Sequence, residues 1–419
     1  MRIVHVTNFY VPASLGGAEV SCHELAVRQR AAGHDVRVIT NMPGVRFADR
    51  NVVNLDLTVN PVEMGLLLSD KRVSRLLKSA LSAHAPDVVH VHNTHETLGF
   101  AAYAACAPYA SLATMHDYNL FCLRTDNMRV EGRACDDRRW CWKCAVHFYP
   151  AKAAERFPGR AKAIAAGKIA ASPALAAAPL IRNTGRRRRF EQYVDIVICP
   201  SSAMRRTMEV WGVLPAKLRV LPNVVGVTAQ PSTAEKPRGG VFTFGYIGKL
   251  TRAKGVHVLL EAFARLGAAK SAKLIVAGDG PDQEQLRRQA LPLENVTFIG
   301  RLERAELERF YDAVQAVVVP SIWPENLPNV VFEAMERGKA VIAANIGGLP
   351  DQVADAGILV RANDARALSD ALAQLVENPD LAQEFGRLGQ RRFQTEFAPD
   401  EVFARHERLY REVLECRNR

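Results

Sequence analysis

Apolar positions in this chain fall in short unbroken runs separated by longer amphipathic stretches. Residues 1–7, 35–40 (DVRVIT), 87–92 (DVVHVH), 111–116 (SLATMH), 194–199 (VDIVIC) and 218–223 (LRVLPN) are predicted strands, with helices between most of them. The first of these helices opens through Gly16 and Gly17, two glycines that let a backbone approach a ligand closely, and runs to about residue 32. The same alternation restarts with VFTFGYIGKL at 241–250. It continues through a helix at 255–267, strands at 273–280 and 295–302, helices at 282–290 and 304–313, and the apolar run VQAVVVPS. Strands apolar on both faces and alternating with helices imply a parallel sheet covered on both sides. Two such alternations predict an α/β protein of two doubly wound Rossmann-like domains with a cleft between them. The expected boundaries are 1–223, a Pro- and Gly-bearing linker at 224–240, 241–398, and a last helix at 399–419 that crosses back to the first domain.

Between residues 118 and 194 the strand rhythm is lost. Cysteines come first, then a long Ala-rich basic stretch ending in RRRR at 186–189. Cys141 and Cys144 form a C-x2-C pair, Cys135 lies six positions before it, and Cys122 closely follows the predicted strand that ends at His116. Four thiolates suit a tetrahedral structural zinc, with His147 as a substitute ligand. An iron-sulfur cluster, disulfides and free thiols are the alternatives. For the basic stretch the choices are a solvated helical face, or docking to an anionic membrane or an acceptor.

The length of 419 residues, 48% of them hydrophobic, allows two or three full-sized cores. A net charge of +11 asks for an anionic partner: a nucleotide, a nucleic acid or an acidic membrane surface. Nucleic acid is disfavoured, because the basic residues are not interleaved with stacking aromatics. The start MRIVHVTNFYVP reads as a strand rather than a signal peptide, and the uncharged run Leu98 to Met115 is broken by Pro108. The expected location is cytoplasmic, with peripheral contact at the inner face of the cell membrane as a further possibility.

Residues 323–353 carry the densest chemistry. The strand before them stops at Pro320 and Ser321, so the following turn lies at the carboxyl edge of a parallel sheet, where ligands bind. Asn326, Leu327 and Pro328 predict a helix start with Asn326 as cap, its free amides open to a phosphate. Glu325 stands just before that helix and Glu333 about two turns into it, carboxylates suited to sugar hydroxyls. GYIGKLTRAKG at 245–255 places Lys249 and Lys254 in a glycine-bearing loop suited to a diphosphate. His116 and Asp117 close a strand of the first half; His116 taken alone reads first as a satisfied polar loop residue.

Taken together, GGAE at 16–19, HD at 116–117, GYIGKLTRAKG, VAGDGP at 276–281, FIGRL at 298–302, the E-x7-E pair Glu325 and Glu333, and GGLPD at 347–351 resemble the retaining nucleotide-sugar glycosyltransferases of family 4, which have the GT-B fold. The resemblance covers nearly the whole chain. It implies that Glu333 holds the ribose, Glu325 the donor sugar, and Lys249 with Lys254 the diphosphate. It also implies that His116 reaches the sugar, that Gly16, Gly17 and Glu19 border phosphate and acceptor, and that backbone near Arg301 and Leu302 meets the base. Lys249 stands where the family usually has Arg, which keeps the charge and loses the bidentate fork. The implied activity is transfer from a UDP- or GDP-sugar to a glycan or lipid-linked acceptor in cell-surface polysaccharide synthesis, with retained configuration and no catalytic metal or other cofactor. The alternatives are a GT-B binding subunit without turnover, or phosphorolysis or epimerisation on the same fold.

Overall fold

A computed structural model describes residues 1–12, 16–59, 71–94, 97–120, 122, 135, 144, 188–226, 241–267, 272–303 and 306–417. Nearly all of the insertion and the expected linker lie outside these residues. The chain divides into two compact units, Met1–Gly226 with Val402–Arg419, and Val227–Glu401. Among the described residues, no helix is long and apolar enough to cross a membrane.

The first unit is a seven-stranded sheet in the order β3-β2-β1-β4-β5-β6-β7, parallel throughout. Its strands are β1 (Arg2–Val6), β2 (Asp35–Thr40), β3 (Val52–Asn54), β4 (Val88–Val91), β5 (Ala110–Thr114), β6 (Ile196–Cys199) and β7 (Leu218–Val220). β4, β5 and β6 are buried along their full length, as a sheet covered on both faces requires. The helix Pro399–Arg417 packs on this sheet through Val402, Leu409, Tyr410 and Val413. Each such side chain, when fully buried, contributes about 1.5 to 3 kcal/mol. A hydrogen bond between His34 and Glu407 at 2.8 Å and the ion pairs of Glu412 with Arg219 and of Arg417 with Asp195 at 3.0 Å reinforce the packing.

The second unit is a six-stranded parallel sheet in the order β10-β9-β8-β11-β12-β13. It comprises β8 (Phe242–Ile247), β9 (Ala272–Ala277), β10 (Val296–Gly300), β11 (Ala316–Val319), β12 (Ala340–Ala344) and β13 (Ile358–Val360). In both units the order reverses direction about the first strand, between β1 and β4 and between β8 and β11. The loops leaving those strands therefore flank an open crevice at the carboxyl edge of each sheet, the usual ligand position in doubly wound folds.

Candidate active site

In the second unit the crevice is bounded by the loops after β8 and β11. The loop after β8 runs Gly248, Lys249, Leu250, Thr251, a short turn Arg252–Lys254, and Gly255, which starts the helix Val256–Leu266. Gly255 has φ +72°, and a Cβ there would lie 2.0 Å from the Pro320 carbonyl oxygen, so only glycine lets the two loops touch. The Ile322 amide then donates to the Ala253 carbonyl across the same junction at 2.9 Å.

This junction brings Lys254 to Glu325. The lysine Nζ donates to the Glu325 Oε1 at 2.7 Å, and the Ser321 hydroxyl donates to the same oxygen at 2.6 Å. Glu325 is buried at 5% exposure, and the Lys254 ammonium also lies 5.7 Å from the centroid of the Trp323 ring. From the other side the Gly348 amide donates to the Glu325 carbonyl at 2.7 Å. Gly347, at φ +62°, passes so close that a Cβ would stand 2.1 Å from that carbonyl oxygen. Backbone and side chain of Glu325 are thus both fixed, and the charge of Lys254 is already shared with it. Lys249, by contrast, is exposed on the same loop.

The helix after β11 departs from the expected geometry in two details. The helix begins at Asn329 and ends at Glu336, with Pro328 in the cap position, extended at ψ 131°, and no side-chain cap. Asn326 is not that cap. Proline disfavours helical backbone at the residue before it, so Leu327 cannot join the helix and the start moves beyond Pro328. Glu333 consequently sits little more than one turn into the helix, not two. Its Oε2 accepts from the Tyr311 hydroxyl at 2.7 Å, and the Arg337 guanidinium lies 4.6 Å from the centroid of the Tyr311 ring while donating to the Glu333 carbonyl at 3.0 Å. Burial raises the Tyr311 hydroxyl well above its usual range, and the Glu333 carboxylate adds to the effect, so tyrosine is the donor in this bond. Next to it, burial pushes Glu336 up to about 7, against the pull of Arg337.

Arg301 and Leu302 follow β10 at the outer edge of the sheet, exposed and half-buried respectively.

In the first unit the helix Gly17–Ala31 starts at the Gly16 cap position. Gly16 and Gly17 are exposed. Glu19 is buried, which raises its pKa; its own amide, the Gly16 amide and the Asn93 side chain counter that by hydrogen bonding to the carboxylate. A glutamate at the third helical position that bonds back to the cap amide is half of a capping box, so Glu19 secures the helix start beside the crevice. His116 leaves the end of β5, half-buried, and shares a hydrogen bond with His92 at 3.0 Å. Burial lowers its pKa to about 4, with Asp117 acting in the opposite direction. Cys122 and Cys135 are half-buried and Cys144 is buried, whereas Cys141 and His147 lie outside the described residues.

Sequence reasoning missed Ser321 and Tyr311 as partners of the two glutamates, and the buried histidines His5, His90 and His92. For the histidines a signal existed: each is a titratable ring inside an otherwise apolar strand. For Tyr311 and Ser321 there was none, because neither periodicity nor a motif marks them.

Two doubly wound parallel units, the second holding a lysine-bound glutamate at its strand-order reversal, are the architecture of the GT-B fold. Family models match both parts of the chain: Glycosyltransferase Family 4 over residues 15–157, and Glycosyl transferases group 1 over residues 232–392. The chain belongs to this family of glycosyltransferases. It is 24% identical to glycogen synthase of Mycobacterium tuberculosis, over 95% of this chain and 91% of that protein. Its fold is similar to sucrose-phosphate synthase from Thermosynechococcus elongatus, with a TM-score of 0.71, 20% identity and 99% of both chains covered. It is similar also to Anabaena HepE solved in complex with UDP-glucose, with a TM-score of 0.64, 19% identity, and 99% and 100% of the two chains covered.

Proposed function

We propose that this glycosyltransferase moves a sugar, with retained configuration, from a UDP- or GDP-linked donor to a glycan or lipid-linked acceptor in cell-surface polysaccharide synthesis. The observation that carries the reading is the buried Glu325 at the crevice, held by Lys254, Ser321 and the Gly348 amide. A carboxylate fixed on one oxygen keeps acceptor capacity for the hydroxyls of a donor sugar. Lys249 and the amides at the start of helix Asn329–Glu336 supply positive potential for the departing diphosphate, which supports chemistry without a catalytic metal. The UDP-glucose held by the similar Anabaena protein supports a nucleotide-sugar donor. Because Lys254 is shared with Glu325, recognition of the diphosphate falls more on Lys249 than the symmetry of two lysines suggests.

Glu333 would hold the ribose, its carboxylate aligned by Tyr311. Glu333→Ala should raise the donor KM by roughly 10- to 100-fold, the scale of a charge-assisted contact, and Tyr311→Phe by several-fold. Steady-state kinetics after a thermal-shift screen of nucleoside diphosphates and their sugars provides the check. An unchanged donor KM in both variants would remove the ribose assignment, and no turnover of any nucleotide sugar would leave a binding subunit as the function.

Cys122, Cys135, Cys141 and Cys144 have the ligand type and number of a structural zinc. Elemental analysis of chelator-free protein should find about one zinc per chain, lost in Cys141→Ser. Metal-free active protein would rule it out.

A further inference from the structure

The face of the first sheet that lies under helices Gly17–Ala31 and Pro399–Arg417 is largely apolar and carries a strip of histidines. β1 and β4 are in register with His5 opposite His90, and His92 follows on the same face. From there a single series of hydrogen bonds runs to His116. Gln29 Oε1 lies 2.7 Å from His5 Nε2, His5 Nδ1 lies 2.9 Å from His92 Nε2, and His92 Nδ1 lies 3.0 Å from His116 Nε2. Gln29 and His5 are 0% exposed and His92 is 3% exposed.

Counting protons gives the series a direction. A carbonyl oxygen can only accept, so His5 carries its proton on Nε2. A neutral ring has one N–H, so His5 Nδ1 is an acceptor and His92 must donate to it from Nε2. By the same step His92 Nδ1 accepts from His116 Nε2, and the remaining His116 nitrogen, Nδ1, keeps its lone pair. Burial holds the rings neutral: it lowers His5 and His116 to about 4, and His92 well below its usual value. The charged and titratable neighbours that bear on them are Arg30, His90 and His406, all of which oppose a charge on these rings, and Asp117, which favours one on His116. The Tyr410 hydroxyl shares a 2.6 Å bond with His90 Nδ1, while His90 Nε2 meets the Thr114 hydroxyl at 2.7 Å.

We propose that Gln29 is a positioning residue which, through His5 and His92, fixes the tautomer of His116 with its proton on Nε2 and its acceptor lone pair on Nδ1. The Nδ1 atom is buried, so the fixed tautomer bears on turnover by holding the ring, which the family resemblance sets against the donor sugar, and that role rests on the proposed function. The series ends in an amide that neither takes nor releases a proton, so it transmits orientation and drains no charge. A metal is the competing occupant, since nitrogens of His5, His90 and His92 lie within 4.8 Å of one another. However, both nitrogens of each ring already have partners: Gln29 and His92 for His5, Tyr410 and Thr114 for His90, and His5 and His116 for His92.

The test is two-bond 15N–1H correlation NMR of the full-length protein labelled at histidine, with rings assigned by single His→Gln variants. Expected in the wild type is one pattern for His5, His92 and His116, protonated Nε2 and bare Nδ1. Gln29→Leu should replace it with tautomer averaging and lower kcat by roughly tenfold, the scale of one hydrogen bond, with little change in donor KM. Gln29→Glu retains an acceptor oxygen and the direction of the series, and should move ring protonation to higher pH even if the leucine variant does not fold. The proposal is overturned by a proton on His116 Nδ1 in the wild type, by unchanged ring patterns in Gln29→Leu, or by stoichiometric zinc on these rings. The expected pattern in a protein that transfers no sugar would sink the proposed function and leave the relay standing.

Discussion

Lys254→Ala and Glu325→Gln should each lower the transfer rate on the order of 10- to 100-fold, and the double variant should be no slower than the slower single one. The reason is that the two residues form one unit. Glu325 has a side chain only 7% exposed, and of the two side chains that bond its Oε1, lysine carries the charge and serine does not. Removing the ammonium leaves a buried carboxylate with a neutral donor, the situation in which breaking a buried pair costs more than the pair itself contributes. Removing the carboxylate frees Lys254 to turn toward other anions and, on the proposed function, takes a hydrogen-bond acceptor from the donor sugar. Either loss dismantles the same contact, so the effects cannot add. Steady-state kinetics of the two single variants and the double variant, with circular dichroism to confirm folding, measures this. Additive losses would mean that Lys254 and Glu325 act on separate parts of the substrate.

The second large effect is expected in acid. His5, His116 and His406 have pKa values lowered from 6.5 to about 4, chiefly by burial, and burial also holds His90 and His92 well below their usual value. In the unfolded chain these rings bind protons as the pH falls through 6.5, whereas in the folded unit they do not until about 4. The unfolded state therefore binds more protons in that window, and stability falls as pH falls. A fully buried ring shifted this far accounts for up to about 3 kcal/mol once the window is crossed. Glu336 in the second unit has the opposite sign. Its carboxyl is raised from 4.5 to about 7, so its contribution is complete below 4.5 and is lost as pH rises through 7. Amide exchange followed strand by strand should show β1 and β4 losing protection between pH 6.5 and 5 while the strands of the second unit hold theirs. Equal protection in β1 and β4 across that range would mean that the rings are not held neutral.

What could be read from the chain was whatever depends on neighbours in sequence. AVVV in β11 and VVHV in β4 are long enough and apolar enough to be buried strands, and their alternation with helices sets a parallel sheet. Glu325 and the loop with Lys249 and Lys254 lie at carboxyl ends of strands, as their place after apolar runs implies. What could not be read depends on tertiary register. Tyr311 reaches Glu333 across 22 positions, and Gln29 reaches His116 only because β1 pairs with β4 and leaves His5 facing His90. The misplaced helix start has a local cause: an asparagine two residues before proline looks like a cap until the restriction on Leu327 is applied.

The glycine contacts at the carboxyl edge of the second sheet constrain how this site can be re-engineered. The loops after β8 and β9 meet where a Cβ on Gly278 would stand 1.9 Å from the Gly248 carbonyl oxygen. The loops after β8 and β11 meet at Gly255, and those after β11 and β12 at Gly347, so four loops are laced backbone to backbone. Surface loops ordinarily tolerate insertion and exchange independently. Here a change of length in one loop displaces the next, and through Gly347 it displaces Glu325. Donor specificity in such a scaffold is therefore open to side-chain substitution but closed to the grafting of single loops, and a transplant from a relative would have to carry all four together.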